Sequence, residues 1–445
     1  MKVTLSRLAC LLALFVFLNT AGARRPNVVL IMADDMGYEC VAANGGLSYE
    51  TPRLDQLAAG GLRFTNCYST PLCTPSRVQI MTGRYNAYNY EEFGYLNPDL
   101  PTIGHLMQEA GYATMIAGKW QLNGISHGVD KFDRGSDSSR PGDAGFDEWS
   151  LWQVTEGKKS GERFWDPLIE ENGKRLQAEL AGTYGPDHST DYICDFIERK
   201  SDEPFFIYYP MALVHDPFVH TPDSTSTELT KQEAFVDMVN YCDNLVGRIH
   251  DKLAAEGLLE DTLIIFTGDN GTPRQIVSKI AGREVTGAKG QTIDDGIHVP
   301  LIVSWAGKTP VGEVRDQLID FTDMKATLFD LVSAHRDESA RALTLDGISF
   351  LPTIEGNSGL ERQWVFCHYD PRWGQFRTQR AAFAYDGRVK VYHDGRVIDV
   401  AEDVMEKNPL ADDAVSPAVL AQLRSALAQH PAFPAVESEF QQPHR

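Results

Sequence analysis

The sequence predicts an α/β protein with a large, mostly parallel sheet flanked by helices, followed by a smaller antiparallel sheet and a terminal helix. Three observations carry this. Short apolar runs with strand character alternate with helix-period segments from residue 27 to about residue 335. Those runs are apolar at consecutive positions, as strands buried on both faces are. Past about residue 350 the runs are shorter and are separated by Asp-Gly dipeptides, which favour tight hairpins.

Taken in order, the first strand is Asn27–Ala33. A helical stretch over Thr102–Ala110 leads into a strand at Tyr112–Ala117. Thr190–Arg199 is helical and precedes the strand Phe205–Tyr209. The long helical stretch Lys231–Glu256 precedes Thr262–Thr267. Leu301–Ser304 follows, then a helix across Asp320–Ala334. The segment 123–189 is rich in Gly, Asp and Trp and only weakly periodic, so it reads as long loops over the top of the sheet. In the last third, Ala381–Tyr385, Val389–His393 and Val397–Val400 are strands, divided by Asp386-Gly387 and Asp394-Gly395. Ser416-Pro417 opens a final helix, a cap followed by proline in the first turn. We therefore expect a catalytic domain over 24–350 and a subdomain over 351–445.

The first residues read as an export signal over 1–23. Lys2 and Arg7 give a positive start, Leu8 to Leu18 an apolar run too short to span a bilayer comfortably, and Ala21-Gly22-Ala23 a small-residue cleavage site. The protein is expected to be periplasmic or secreted, with no stable membrane span. The full chain carries a net charge of −21. Loss of the leader makes it more acidic, because both charges in the leader are positive. That balance excludes a nucleic-acid partner and requires any anionic substrate to be attracted by a local cationic pocket. Cys40, Cys67, Cys73, Cys194, Cys242 and Cys367 match neither a zinc site nor a CxxC motif, and no pairing follows from their spacing.

Four polar clusters each fall just after an expected strand: Asp34-Asp35, Lys119, His215 and Asp269-Asn270. In open α/β sheets ligands bind beyond the carboxyl ends of strands, so these clusters can converge on one site. One pair of aspartates after a strand is as often a turn or a cap. Four clusters in one chain weigh against that reading. Asp34, Asp35, Asp269 and Asn270 are hard oxygen donors suited to Ca²⁺ or Mg²⁺. Three crowded carboxylates repel one another unless a cation lies between them. Calcium is favoured over magnesium because it accepts irregular, protein-supplied oxygen cages. Cys73-Thr74-Pro75-Ser76-Arg77 puts proline in the first turn of a helix and residue 73 at its N-terminus, where an anion is favoured. A cysteine there can be a small buried hydrophobe or a phosphatase-like thiolate. Only three residues separate it from Arg77, too few for the second.

Cys-x-Pro-Ser-Arg followed by Thr82-Gly83-Arg84 resembles the signature of the type I sulfatases, in the alkaline-phosphatase-like superfamily. Asn27 to Tyr38 resembles the opening strand and metal turn of that family, Gly118-Lys119-Trp120 its second signature, and Thr267-Gly268-Asp269-Asn270-Gly271 its later metal turn. Gly287-Ala288-Lys289-Gly290 and Gly296-Ile297-His298-Val299-Pro300 resemble the stretch holding another family lysine. The resemblance implies oxidation of Cys73 to formylglycine (3-oxoalanine) by a maturation enzyme. It implies that the hydrate at residue 73 is held by the metal together with Asp34, Asp35, Asp269 and Asn270, and attacks sulfur. Arg77 would hold the diol. Lys119, Lys289 and His215 would contact the sulfate or the leaving oxygen, with His215 the proton donor. The substrate would be a sulfated small molecule or glycan, and the chain a sulfuric ester hydrolase.

One position departs from the family. Gln121 stands where the family usually has histidine, and glutamine hydrogen-bonds but is no base near neutral pH. Gln121 keeps open the reading of a catalytically silent protein that binds sulfated glycan; a phosphoesterase of the same fold is a further alternative, which a Thr or Ser nucleophile would favour, whereas Cys73 favours sulfate. Trp149, Trp152, Trp165 and Trp373, expected on loops, are candidates for stacking on sugar rings. The sequence does not fix the oligomeric state.

Overall fold

A computed structural model describes residues 25–124, 140–154, 161–336, 343–376, 379–431 and 433. The leader expected over 1–23 lies outside the described residues. The strands are β1 (Asn27–Ala33), β2 (Leu62–Tyr68), β3 (Ala113–Lys119), β4 (Glu148–Trp152), β5 (Ile169–Glu171), β6 (Lys174–Leu176), β7 (Phe205–Pro210), β8 (Thr262–Gly268), β9 (Val277–Ile280), β10 (Arg283–Thr286), β11 (His298–Ser304), β12 (Glu313–Asp320), β13 (Val365–Tyr369), β14 (Ala381–Tyr385), β15 (Val389–Tyr392) and β16 (Val397–Asp399).

Ten of them form one sheet in the order β12-β2-β11-β8-β1-β7-β3-β4-β5-β6. Its centre, β8-β1-β7-β3-β4, is parallel throughout. β11 and β5 run against their neighbours. Every residue of β1 is buried. Val29, Ile31 and Ala33 face one core, with helices Pro52–Gly60, Gly185–Arg199 and Lys231–Ala255. Val28, Leu30 and Met32 face the other, with helices Cys73–Thr82, Ile103–Glu109 and Thr322–Val332. The expected buried, mostly parallel sheet between helical layers is thus present.

Three expectations are corrected. The segment 123–189 is not loop alone, because β4, β5 and β6 extend the sheet edge there. β5 and β6 have three residues each, and Lys174 and Arg175 are exposed, so no hydrophobic period marks them. β2 and β12 were not expected; β12 alternates half-exposed polar residues until its last three positions, as an edge strand does. Trp149 and Trp152 lie in β4, not on loops.

The small antiparallel sheet runs β13-β14-β15-β16. Helix Pro417–Ala428 covers one face through Leu420, Leu423 and Ala426. The other face shares a core with Tyr68, Leu72 and Cys73, so this sheet packs against the start of the Cys73 helix. Among the described residues the six cysteines are free thiols, and no helix is long and apolar enough to cross a membrane.

Candidate active site

Four neighbouring parallel strands deliver the site. β1 ends at Ala33, opposite Gly268 of β8, so Asp34-Asp35 and Asp269-Asn270 leave the sheet side by side. Two main-chain bonds join the Asp34 turn to the loop after β7: Asp34 N donates to Leu213 O at 2.7 Å and Val214 N to Asp34 O at 2.7 Å. That loop carries His215. β3 ends at Lys119, after Gly118. Gly118 has φ of +111°, and a Cβ there would lie 2.2 Å from Pro210 O, so glycine lets β3 finish against β7.

Cys73 is the first residue of helix Cys73–Thr82, as the sequence predicts. Ser76 pins the entry, since its Oγ accepts from Thr70 N at 3.0 Å. Gly83 closes the helix in the left-handed region with φ of +67°. Arg77 is buried and donates through Nη2 to Lys119 O and, at 3.0 Å, to Trp120 O. Its Nε and Nη1 have no hydrogen-bond partner.

The carboxylates are fixed from behind. Asp34 Oδ2 accepts from Lys119 Nζ at 2.6 Å, both side chains fully buried. Asp35 lies in the left-handed region with φ of +63°. Its Oδ1 accepts from Asn270 Nδ2 at 2.9 Å, and its Oδ2 pairs with Lys289 at 2.5 Å, with His215 Nε2 3.7 Å away. Asp269 Oδ1 accepts from Asp35 N at 2.9 Å. Asp34 Oδ1, Asp269 Oδ2 and Asn270 Oδ1 remain buried without partners. Asp34, Cys73 and Asp269 each offer a ligand atom within 4.8 Å of the others. Orphaned buried oxygens are costly, and hard oxygen donors on adjoining turns are what a hard divalent cation takes as ligands. The residues present fit such an ion.

The electrostatics agree. Burial favours the neutral form of Asp34, but Lys119, then His215 and Lys289, hold its carboxyl far below the usual range. Burial, then the charges of Asp34 and Asp35, push Asp269 well above it. Burial disfavours the Lys289 ammonium, but Asp35, then Cys73 and Asp34, outweigh it and raise its affinity for a proton overall. Burial also pushes the Cys73 thiol up, against the pull of Lys119.

Every predicted site residue falls in this one cluster, including Gln121, whose Oε1 lies 4.0 Å from Cys73 Sγ and whose φ is +49°. Arg163 was not anticipated. Its Nη1 lies 3.1 Å from His215 Nδ1, and its guanidinium covers the Trp152 ring at 4.1 Å. Glu39 and Thr272 were also missed. Thr272 Oγ1 accepts from Gly37 N at 3.2 Å and bonds Glu39 Oε1 at 2.5 Å, joining the segments that follow β1 and β8. The tryptophans offered as sugar platforms are partly occupied: Trp165 stacks on His220 and Trp373 on Phe93.

A family model described as Sulfatase matches residues 26–334. The chain is 33% identical to human arylsulfatase A over 385 residues, covering 78% of this chain and 71% of the relative. It is 30% identical to N-acetylgalactosamine-6-sulfatase of the dog, covering 78% and 69%. Among solved structures, Ps i-CgsB superposes with a TM-score of 0.73 at 22% identity, covering 91% of this chain and 92% of that one. The phosphonate monoester hydrolase of Agrobacterium radiobacter superposes with a TM-score of 0.65 at 22% identity, covering 92% and 96%. With the family model spanning the strands, turns and helix that assemble the acidic cluster around Cys73, the chain belongs to the sulfatase family.

Proposed function

We propose that this sulfatase hydrolyses sulfate esters of carbohydrates outside the cytoplasm, using residue 73 in its 3-oxoalanine form and a calcium ion held by Asp34, Asp35, Asp269 and Asn270. The observation that carries the reading is the meeting of Cys73, first in its helix, with Asp34 and Asp269, each of which keeps a buried, unpartnered carboxylate oxygen. The alternative use of Cys73, as a thiolate, is disfavoured because burial raises its thiol. The carbohydrate class is supported by relatives named for N-acetylgalactosamine 6-sulfate and by the complex of Ps i-CgsB with k-i-k-neocarrahexaose. Export is supported by the charged, apolar and small-residue order of positions 1–23; N-terminal sequencing of secreted protein should begin at Arg24.

When present, the cation supplies Lewis-acid polarisation and the hydrated aldehyde of residue 73 supplies the attacking oxygen. The chain's own residues do the rest. Lys119 and Lys289 are fixed by ion pairs to Asp34 and Asp35 and present positive charge where the sulfate gains negative charge. His215 points Nε2 at the cluster and carries the proton that the leaving alcohol takes up. Arg77 buttresses the Lys119–Trp120 main chain and keeps two donors for residue 73. Gln121 orients residue 73 by hydrogen bonding alone.

The test combines mass spectrometry of the peptide containing residue 73 with sulfate release from p-nitrophenyl sulfate and sulfated sugars. Aldehyde at residue 73 and loss of turnover in Cys73→Ala are expected. Full turnover by protein carrying only the thiol would sink the reading.

A further inference from the structure

We propose that Arg163 binds a second anionic group of the substrate, a carboxylate or a further sulfate ester, beside the sulfate being hydrolysed; this rests on the sulfatase reading above.

Three observations lead there. First, Arg163 is a half-buried cation with no carboxylate in ion-pair range among the described residues. Its recorded polar contact is His215 Nδ1 at 3.1 Å. In a chain with 62 acidic and 41 basic residues, a cation left without an acidic partner beside a site for anions has charge available for a ligand. The two lysines of the site differ, Lys119 pairing with Asp34 and Lys289 with Asp35, while Arg77, also without an acidic partner, is fully buried against the carbonyls of Lys119 and Trp120.

Second, it stands across the His215 ring from Asp35. The imidazole of His215 stands between them, with Nε2 turned to Asp35 at 3.7 Å and Nδ1 turned to Arg163. A scissile sulfate seated at the acidic cluster would leave Arg163 to meet the remainder of the substrate. Asp216, whose Oδ1 is 2.9 Å from His215 Nδ1, marks the same outer edge.

Third, the guanidinium is held ready. It lies over the Trp152 ring at 4.1 Å, and Trp152 is itself locked by Nε1 donating to Gly161 O at 3.1 Å. The chain on both sides of Arg163 is pinned, Leu168 N to Glu162 O at 2.9 Å and Gly185 N to Phe164 O at 2.6 Å. A planar fork fixed against an aromatic face suits two-point binding of a carboxylate or sulfate. Burial lowers the proton affinity of the guanidinium despite Asp34, Asp216 and Asp35, so an arriving anion would offset part of its desolvation.

The experiment uses p-nitrophenyl sulfate and the N-acetylgalactosamine and N-acetylglucosamine monosulfates, each sugar beside its disulfated form and its form linked to a uronic acid. The measured quantity is the ratio of kcat/KM for the doubly charged over the singly charged member. Wild type is expected to favour the doubly charged member. Arg163→Ala should lower the ratio about 10- to 100-fold, mainly through KM, and Arg163→Lys should lower it less. Loss in the uronate arm alone assigns a carboxylate, and loss in the disulfate arm alone assigns a second sulfate. An unaltered ratio, or equal loss on both members, overturns the proposal, because Arg163 would then serve the scissile sulfate or merely hold His215. Melting temperature reports folding, and if Arg163→Ala fails to fold, the same comparison is read from Arg163→Lys. Wild type that releases sulfate without preferring any doubly charged member overturns the inference alone. No sulfate released from any substrate overturns the sulfatase reading with it.

Discussion

Asp34, Asp35, Asp269 and Asn270 sit on turns at the ends of two paired strands and expose essentially nothing, whereas His215, Arg163 and Gln121 hang from loops and keep part of their surface open. The back of the site is placed by sheet register, the Ala33–Gly268 pairing, and by main-chain bonds such as Asp269 N to Ala33 O at 2.9 Å. The rim loops are also tied by main-chain bonds, but their functional side chains are aimed by contacts with other side chains, His215 with Arg163 and Arg163 with Trp152. A change at the back should therefore disturb ion binding, chemistry and folding together. A change at the rim should alter rate or substrate choice and leave the ion site formed.

The largest expected effect comes from the back. Asp269→Ala and Asp34→Ala remove ligands of the proposed ion, so sulfate release should fall by about a thousandfold or more. Calcium should raise the melting temperature of the wild type by a few degrees, since an ion at a hundred times its Kd stabilises by about 2.7 kcal/mol. These two variants should lose that shift, which melting curves with and without a chelator will show. A variant that keeps full calcium-dependent melting would break the assignment of the back wall.

Lys119→Ala tests the same wall from behind. It leaves Asp34, fully buried, without its 2.6 Å partner. Removing one member of a buried ion pair costs about 3–5 kcal/mol. Urea unfolding of the chelated protein should show a loss of that order, and calcium should restore part of it by neutralising Asp34. An equal loss with and without calcium would separate Lys119 from the ion site.

The same contrast explains what could be read in the sequence. The apolar runs Asn27–Ala33 and Thr262–Gly268 announce buried strands, and acids immediately after them announce a site at the carboxyl edge. Cys73 with Pro75 announces the helix start. All of this is local pattern. β5 and β6 carry no period long enough to see, and β12 is an edge strand that reads as polar. Arg163 lies in a connection with no motif around it, and its meaning arises only when β4 brings Trp152 beneath it and the loop after β7 brings His215 beside it. Trp149 and Trp152 misled because tryptophan among Gly and Asp suggests a surface loop, while here it is paired strand.

At the rim, His215→Ala removes the proposed proton donor without touching a main-chain bond of the turns after β1 and β8. We expect kcat for an alkyl sulfate to fall about 100-fold, within the usual range for a general acid. The loss should be smaller for p-nitrophenyl sulfate, whose leaving group needs less proton transfer, and the calcium-dependent melting shift should persist. Equal loss on both esters would show that His215 serves the sulfate and not the leaving oxygen.

The smallest expected effect, and the sharpest test of the rim, is at Gln121. Its Oε1 lies 4.0 Å from Cys73 Sγ, and its left-handed φ of +49° turns the side chain back toward residue 73 after Lys119 and Trp120. Arg77 holds the carbonyls of those two residues, so the turn is fixed independently of what occupies position 121. A histidine placed there can accept a proton where glutamine cannot. In the proposed chemistry turnover has two halves, cleavage of the ester and release of sulfate from the enzyme, and a base beside residue 73 bears on the second. Gln121→His should therefore raise the steady-state rate by about tenfold at most, and more than it raises the single-turnover rate of ester cleavage, because His215 already attends the first half. If both rates rise together, position 121 acts on sulfate binding. If both fall, glutamine is the residue this turn was built to hold, and the proton leaves residue 73 by another route.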